Sequence, residues 1–266
     1  MDIRNYDEIA KKADTNKLKK PVNINEFAPS HPYRLLIIGP SGSGKTNTLL
    51  NLLTEYVYYD HIYLYAKTAD TEDKYIFLKE YLKDVEEAAR DKMSDMILDD
   101  ETMRDTESPI SNITIIQAWD TNLDNLVSVD DLDENKQNLI VFDDMTLEGK
   151  LAHSKISEHF IRGRKKNCSY IYIGHSFFLL PKVIRINITD IILFPPDNKK
   201  EIQELSKTYA SRIEFKEFQR LLNEVRDPKN NDGHDFIYID TRSRNLSLWL
   251  RKGFDCCYIP PKNNDE

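Results

Sequence analysis

Eight residues, Gly39-Pro40-Ser41-Gly42-Ser43-Gly44-Lys45-Thr46, constrain this chain more than any others. They satisfy the pattern G-x-x-x-x-G-K-[ST], follow the apolar run Leu35-Leu36-Ile37-Ile38, and open a segment carrying Leu49, Leu50, Leu52 and Leu53. That context predicts a buried strand, a curled loop and a helix, in that order. Glycines let the backbone curl so that successive N–H groups point inward at phosphate oxygens. Lys45 is then placed to reach the β- and γ-phosphates, and the Thr46 hydroxyl to bind Mg²⁺. The alternative, a glycine-rich turn without a ligand, leaves the flanking strand and helix unexplained.

A second station fits the first. Asn138-Leu139-Ile140-Val141-Phe142-Asp143-Asp144 is an apolar strand ending in two carboxylates. Asp143 is expected to hold Mg²⁺ through water, and Asp144 to orient or deprotonate the attacking water. Aspartate is one methylene shorter than the glutamate common at that place, so either the backbone comes closer or Asp144 is a partial base. A strand that simply ends at an acidic turn is the bland alternative, disfavoured by the presence of Lys45 and Thr46. A third station is Tyr170-Ile171-Tyr172-Ile173-Gly174-His175-Ser176. His175 or Ser176 is a candidate sensor of the γ-phosphate, or His175 is an ordinary surface histidine. Residues 135–138, Asn-Lys-Gln-Asn, lack the aspartate of the guanine-reading Asn-Lys-x-Asp motif and lie upstream of the Asp143 strand. ATP is therefore the expected nucleotide.

Further strands are predicted at 61–65, 113–116, 170–173 and 191–194, with helices near 71–89, 154–162, 179–185, 198–207 and 212–225. Strands alternating with helices imply an α/β fold with a mostly parallel sheet covered on both faces. A strand at 61–65, between the glycine loop and Asp143 in sequence, points to the RecA-like (ASCE-type) P-loop NTPases. Residues 1–30, with Lys11, Lys12, Lys17, Lys19 and Lys20, read as an arm: a partly disordered leader, or a segment gripping a neighbouring subunit or a nucleic-acid backbone. Residues 31–266 read as one domain. It carries an acidic insertion near 91–108, with seven acids against two bases, and a C-terminal hairpin near 235–251.

The length of 266 residues suits one α/β domain with extensions. A net charge of −8 disfavours a simple DNA-coating protein but not a motor with a local basic patch. The three cysteines, Cys168, Cys256 and Cys257, show no zinc or disulfide spacing and are read as free thiols in a reducing compartment. No run approaches the ~18 apolar residues of a membrane span, and residues 1–8 lack a signal-peptide core. The expectation is a soluble intracellular protein.

The stations together resemble a known group. His31-Pro32-Tyr33-Arg34-Leu35-Leu36-Ile37-Ile38, the glycine loop, His61-Ile62-Tyr63-Leu64-Tyr65-Ala66-Lys67 and Leu139-Ile140-Val141-Phe142-Asp143-Asp144-Met145 look like the A32-like genome-packaging ATPases of the FtsK–HerA superfamily. Phe160-Ile161-Arg162-Gly163-Arg164-Lys165-Lys166-Asn167 and Pro181-Lys182-Val183-Ile184-Arg185-Ile186-Asn187 strengthen the match. Gly174-His175-Ser176 departs from the family's usual Ser-Gln-Ser. The resemblance implies a homo-oligomeric ring that drives double-stranded DNA into a preformed capsid, working with capsid or portal-vertex proteins in the host cytoplasm or virus factory. The rivals are a HerA-like DNA-processing motor and a slow ATP-dependent assembly switch.

Arg162 and Arg164 are candidates to enter a neighbour's site and stabilise transition-state charge, with Gly163 allowing a tight turn between them. Pairing with surface carboxylates is the alternative. Lys199-Lys200 and Arg242–Arg244 are candidates for contacts to DNA phosphates without sequence preference; ordinary solvated surface is the alternative for each.

Overall fold

Apolar residues that alternate between two covered faces decide the architecture. The computed structural model of the chain describes residues 27–99, 114–227 and 235–258. Its strands are β1 (Arg34–Ile38), β2 (His61–Ala66), β3 (Ile116–Asp120), β4 (Asn138–Asp143), β5 (Cys168–Gly174), β6 (Asp190–Leu193), β7 (Ile237–Asp240), β8 (Leu250–Lys252) and β9 (Cys256–Cys257). Among the described residues these form one sheet in the order β3-β2-β4-β5-β1-β6-β7-β8-β9. The strands from β3 to β6 in that order are parallel, and β7, β8 and β9 add on antiparallel.

Parallel neighbours need crossover helices, and the helices divide between the two faces. On one face Leu36, Phe142, Tyr170 and Tyr172 pack beneath Ile156 and Phe160 of α3 (Lys150–Arg162), Ile184 of α4 (Lys182–Asn187), Leu205 of α5 (Lys199–Tyr209) and Leu221 of α6 (Phe215–Arg226). On the other, Leu35, Ile37, Val141 and Ile171 pack beneath Leu49 of α1 (Lys45–Asn51) and Tyr75 and Leu78 of α2 (Asp73–Asp99). Consecutive strand residues therefore serve opposite layers, which is why β1, β4 and β5 read as unbroken apolar runs. Each such side chain, fully buried, contributes about 1.5–3 kcal/mol of transfer free energy.

Several predicted elements move. The helix expected to stop at 89 runs to Asp99, so residues 91–99 of the acidic insertion are helical; the remainder of that insertion, 100–108, lies outside the described residues. Glu86 on this helix is buried, and its Oε1 accepts from the N–H groups of Ile115 at 2.6 Å and Ile116 at 2.9 Å. That clamp starts β3 at Ile116, later than the apolar run 113–116 implied. The second hairpin strand is shorter than expected. Asn245 caps a helical turn, α7 (Leu246–Trp249), and only Leu250–Lys252 pairs with β7. Of the proposed arm, residues 1–26 lie outside the described residues. Beyond them, Ala28 is buried and the Phe27 carbonyl accepts from Arg251 Nη1 at 2.9 Å.

Arg242 has a structural task rather than the phosphate contact proposed for it. Its guanidinium reaches Oδ2 of the fully buried Asp190 at 3.0 Å and the carbonyls of Ser30 and Pro32 at 2.9 and 3.0 Å. Burial raises the Asp190 carboxyl above its usual range, and Arg242 with the Thr189 and Tyr238 hydroxyls opposes that rise. A cation committed to a buried carboxylate is not free for a ligand.

Candidate active site

The carboxyl ends of the parallel strands bring the three sequence stations together. β5 lies between β1 and β4, so its end inserts His175 between the glycine loop and the two aspartates. The strand that separates β1 from β4 in space is thus β5; β2, which separates them in sequence, lies outboard of β4. In the loop, Gly44 sits at φ +103°, a left-handed value that side chains with a Cβ rarely adopt, directly before α1.

Lys45 is buried at the centre of the cluster. Its ammonium donates to the carbonyls of Gly39 at 3.0 Å and Pro40 at 2.7 Å and lies 3.3 Å from His175 Nδ1, which accepts when that nitrogen carries no proton. Burial lowers the Lys45 ammonium below its ordinary value, while Asp143 and Asp144 act to raise it. His175 Nε2 faces Asp144 Oδ1 at 3.7 Å, so His175 stands between the lysine and the second carboxylate. Gly174 precedes it at the last register position of β5, opposite Ile38.

The two adjacent aspartates occupy different environments. Asp143 ends β4 in regular strand geometry, and its Oδ2 accepts from the Tyr75 hydroxyl. Burial pushes its carboxyl up to about 6, opposed by Tyr75 and by Lys45 and assisted by Asp144. Asp144 leaves the strand in the left-handed region, at φ 54° and ψ 35°, which turns its side chain away from the direction Asp143 takes. Asp tolerates that region better than most residues, yet it stores strain of the kind that accumulates at functional sites.

Tyr75 is a site residue that the sequence did not disclose. It sits on the apolar face of α2, where its spacing with Leu78 and Leu82 marks it as core, and it is indeed fully buried. Its hydroxyl, however, bonds to both Thr46 and Asp143, joining the two residues assigned to the metal. No local pattern announces this, because Tyr75 and Asp143 are separated by 68 positions.

Comparison with known proteins places the chain. The profile of the Poxvirus A32 protein family matches residues 25–244. The chain belongs to that family. No curated protein matches it. Among solved structures, the genome packaging NTPase B204 from Sulfolobus turreted icosahedral virus 2, in complex with ATP-gammaS, is similar over 85% of this chain and 98% of its own, with 12% identity and a TM-score of 0.51. B204 described as the DNA-packaging ATPase from Sulfolobus turreted icosahedral virus gives 13% identity and a TM-score of 0.50 over the same shares. At such identities the likeness is one of fold. The A32-family protein is an α/β, RecA-like P-loop ATPase.

Arg162 and Arg164 are not brought to this cluster. Arg162 ends α3 and Arg164 follows it, and both flank the starts of β4 and β5, where the Lys166 and Lys136 carbonyls meet the amides of Asn138 and Asn167. That is the opposite edge of the sheet, roughly 17–20 Å away along a strand of this length. Arg162 is held by Glu158 and by Asp130 at 2.6 Å, the surface pairing that was the alternative reading. Among the described residues no ion pair holds Arg164. Gly163 does not make a left-handed turn: it is helical at φ −64°, and its need for glycine lies elsewhere.

Proposed function

We propose that the A32-family protein uses ATP hydrolysis, with Mg²⁺, to drive double-stranded DNA into a preformed viral capsid, acting as a subunit of a homo-oligomeric ring. The observation that carries the reading is the convergence of Lys45, Thr46, Asp143, Asp144 and His175 on one edge of the sheet. The family, and the packaging role named for B204, supply the direction.

In this reading residues 39–46 cradle the phosphates with main-chain N–H groups, and Lys45 exchanges its bonds to Gly39, Pro40 and His175 for phosphate oxygens. The donors present fit Mg²⁺. The Thr46 hydroxyl and the Asp143 carboxylate are hard oxygen ligands joined through one tyrosine hydroxyl, and Asp143 is a partly buried carboxylate that gains from a cation. The ion, when bound, supplies neutralising charge to the phosphates. Asp144 orients the attacking water and accepts its proton, and His175, between Asp144 and Lys45, passes on whether the γ-phosphate is present.

Ring assembly draws support from two features. Leu147, Leu151, Phe178, Leu179 and Ile186 are exposed on segments that follow Asp144 and His175, an apolar surface suited to a neighbouring subunit. Arg164 lies at the other edge of the sheet, so head-to-tail contact would carry it toward the next subunit's site. Lys199 and Lys200 are exposed at the start of α5 and remain candidates for DNA phosphates, as does the exposed Arg244. Among the described residues no helix is long and apolar enough to cross a membrane.

The test is ATP turnover and nucleotide binding in point variants, with and without double-stranded DNA. Lys45→Ala is expected to abolish turnover and greatly weaken binding. Asp144→Asn is expected to keep ATP and Mg²⁺ binding while stopping turnover, and Asp143→Asn to lose the Mg²⁺ dependence. Near-normal turnover in Lys45→Ala, or equal loss of binding in both aspartate variants, would contradict the assigned roles. Absence of any DNA stimulation in the parent would contradict the translocase.

A further inference from the structure

Tyr75 belongs to the core by its ring and to the site by its hydroxyl. The residue is fully buried on the apolar face of α2. Its ring meets Trp119 edge-on at 6.4 Å, centroid to centroid. Trp119 is itself fixed, its Nε1 donating to the Ala69 carbonyl at 3.1 Å. The Tyr75 N–H donates to the Glu72 carbonyl at 2.9 Å in the first turn of the helix. Ring and backbone are both held, so the place of the phenolic oxygen is set by packing and not by the site it serves.

The hydroxyl has one proton, and its two partners decide where it goes. Asp143 Oδ2 accepts it, because a carboxylate has no proton to give. The second bond, to Thr46, must then run the other way, with the Thr46 hydroxyl donating to the tyrosine oxygen. The result is a directed chain from Thr46 through Tyr75 to Asp143. Each end is left in one state. The Thr46 oxygen has committed its proton and keeps its remaining lone pair. Asp143 has Oδ2 engaged and keeps Oδ1 for another ligand. Lone pairs on hydroxyl and carboxylate oxygens are what Mg²⁺ and its waters take. A threonine hydroxyl without such a partner rotates and presents its proton as readily as its lone pairs, and a cation repels the proton.

We infer that Tyr75 is a positioning residue of the magnesium site, fixing the proton of Thr46 and the rotamer of Asp143 before the cation enters. The inference rests on the metal reading above and adds what arranges the two donors. It also bears on which cation is preferred. Mg²⁺ demands near-ideal octahedral geometry, whereas Ca²⁺ accepts a looser and more variable set of oxygens. A pair of donors fixed in advance therefore favours Mg²⁺, and a pair free to rotate loses that advantage.

Titration calorimetry on the full-length protein with the non-hydrolysable β,γ-imido analogue of ATP tests it, run in Mg²⁺, in Ca²⁺ and in EDTA. The ratio of affinity with metal to affinity in EDTA isolates the metal site from the rest of nucleotide binding. Tyr75→Phe keeps the ring against Trp119 and removes only the hydroxyl. It is expected to lower the Mg²⁺ ratio roughly tenfold, the loss typical when a partner of a metal ligand is removed, with the affinity in EDTA near the parent's. The Ca²⁺ ratio should fall less, so that the preference for Mg²⁺ over Ca²⁺ narrows. An unchanged Mg²⁺ ratio would overturn the inference. So would equal weakening in Mg²⁺ and EDTA, which is the mark of a merely structural tyrosine, or equal falls in the Mg²⁺ and Ca²⁺ ratios. A parent that binds the analogue equally well in Mg²⁺ and in EDTA would instead overturn the metal reading itself, and this inference with it.

Discussion

His159 shows how far burial alone can move a single group. It lies on α3, is 2% exposed, and its Nε2 sits 2.9 Å from the Val127 carbonyl, the geometry of a neutral ring donating one proton. Burial lowers its pKa from 6.5 to about 4, against the raising effect of that carbonyl. The unfolded chain thus binds a proton near pH 6.5 that the folded chain refuses until about 4. The stability this residue contributes is complete above pH 6.5 and is lost as the pH falls toward 4, by up to about 3 kcal/mol. Urea unfolding of the parent and of His159→Gln at pH 7 and pH 4.5 should show the parent losing more stability than the variant. Parallel losses would mean that the ring is already charged in the fold. Asp144 makes a different point at the same scale. Its left-handed backbone is what separates its direction from that of its neighbour Asp143, and a pair of adjacent acids in a sequence gives no sign of that.

At the scale of elements, α3 and β5 are held together by the absence of a side chain. A Cβ on Gly163 would fall 1.8 Å from the Tyr170 hydroxyl oxygen and 2.3 and 2.4 Å from its ring carbons. Tyr170 is fully buried in β5, between His159 and Phe160 of α3, and has no room to retreat. Gly163→Ala is therefore expected to destabilise the fold by about 1–3 kcal/mol through overpacking. Tyr170→Phe leaves the two ring carbons in place and should relieve little of this, whereas Tyr170→Leu removes the ring, and a denaturation cycle of Gly163→Ala with Tyr170→Leu should show a favourable coupling of about 0.5 kcal/mol or more. A Gly163→Ala variant as stable as the parent would place the need for glycine outside this contact. Hydrophobic periodicity sets the order of the strands and helices. It could not place the ends of α2 or β3, because Glu86 fixes the start of β3 from a position 29 residues upstream.

The whole molecule has two unlike edges. One carries the glycine loop, Asp143, Asp144 and His175, with exposed apolar residues on the segments that follow; the other carries Arg34, Arg162, Arg164, Lys165 and Lys166 at the starts of the strands. If the second edge of one subunit completes the first edge of the next, Lys45→Ala and Arg164→Ala subunits are each inactive but complementary. An equal mixture should recover activity at roughly a quarter of its interfaces, those with both halves intact. Substituting Arg162→Ala for Arg164→Ala should matter less, since Asp130 and Glu158 already occupy that guanidinium. Steady-state ATPase assays of the mixtures check this. No recovery with either arginine variant, or a parent rate independent of dilution, would remove the trans-acting role.

The glycine loop, the Asp143 strand, the α/β class and the family are all legible in residues that are contiguous or regularly spaced. Backbone curl, buried strands and amphipathic helices are local consequences of local residue types. Whatever depends on distant segments meeting is set by the packing of the folded layers. That packing put β5 between β1 and β4, and so brought His175 between Lys45 and Asp144. It brought Tyr75 onto Thr46 and Asp143, committed Arg242 to the buried Asp190, and closed a cleft from Asn51, Tyr56, Phe236 and Phe254. Those contacts join residues from 29 positions apart, Thr46 and Tyr75, to 203 apart, Asn51 and Phe254, and no rule of spacing reaches that far. They are fixed by which apolar faces the folded layers bury, and the polar groups carried along with those faces find their partners only then.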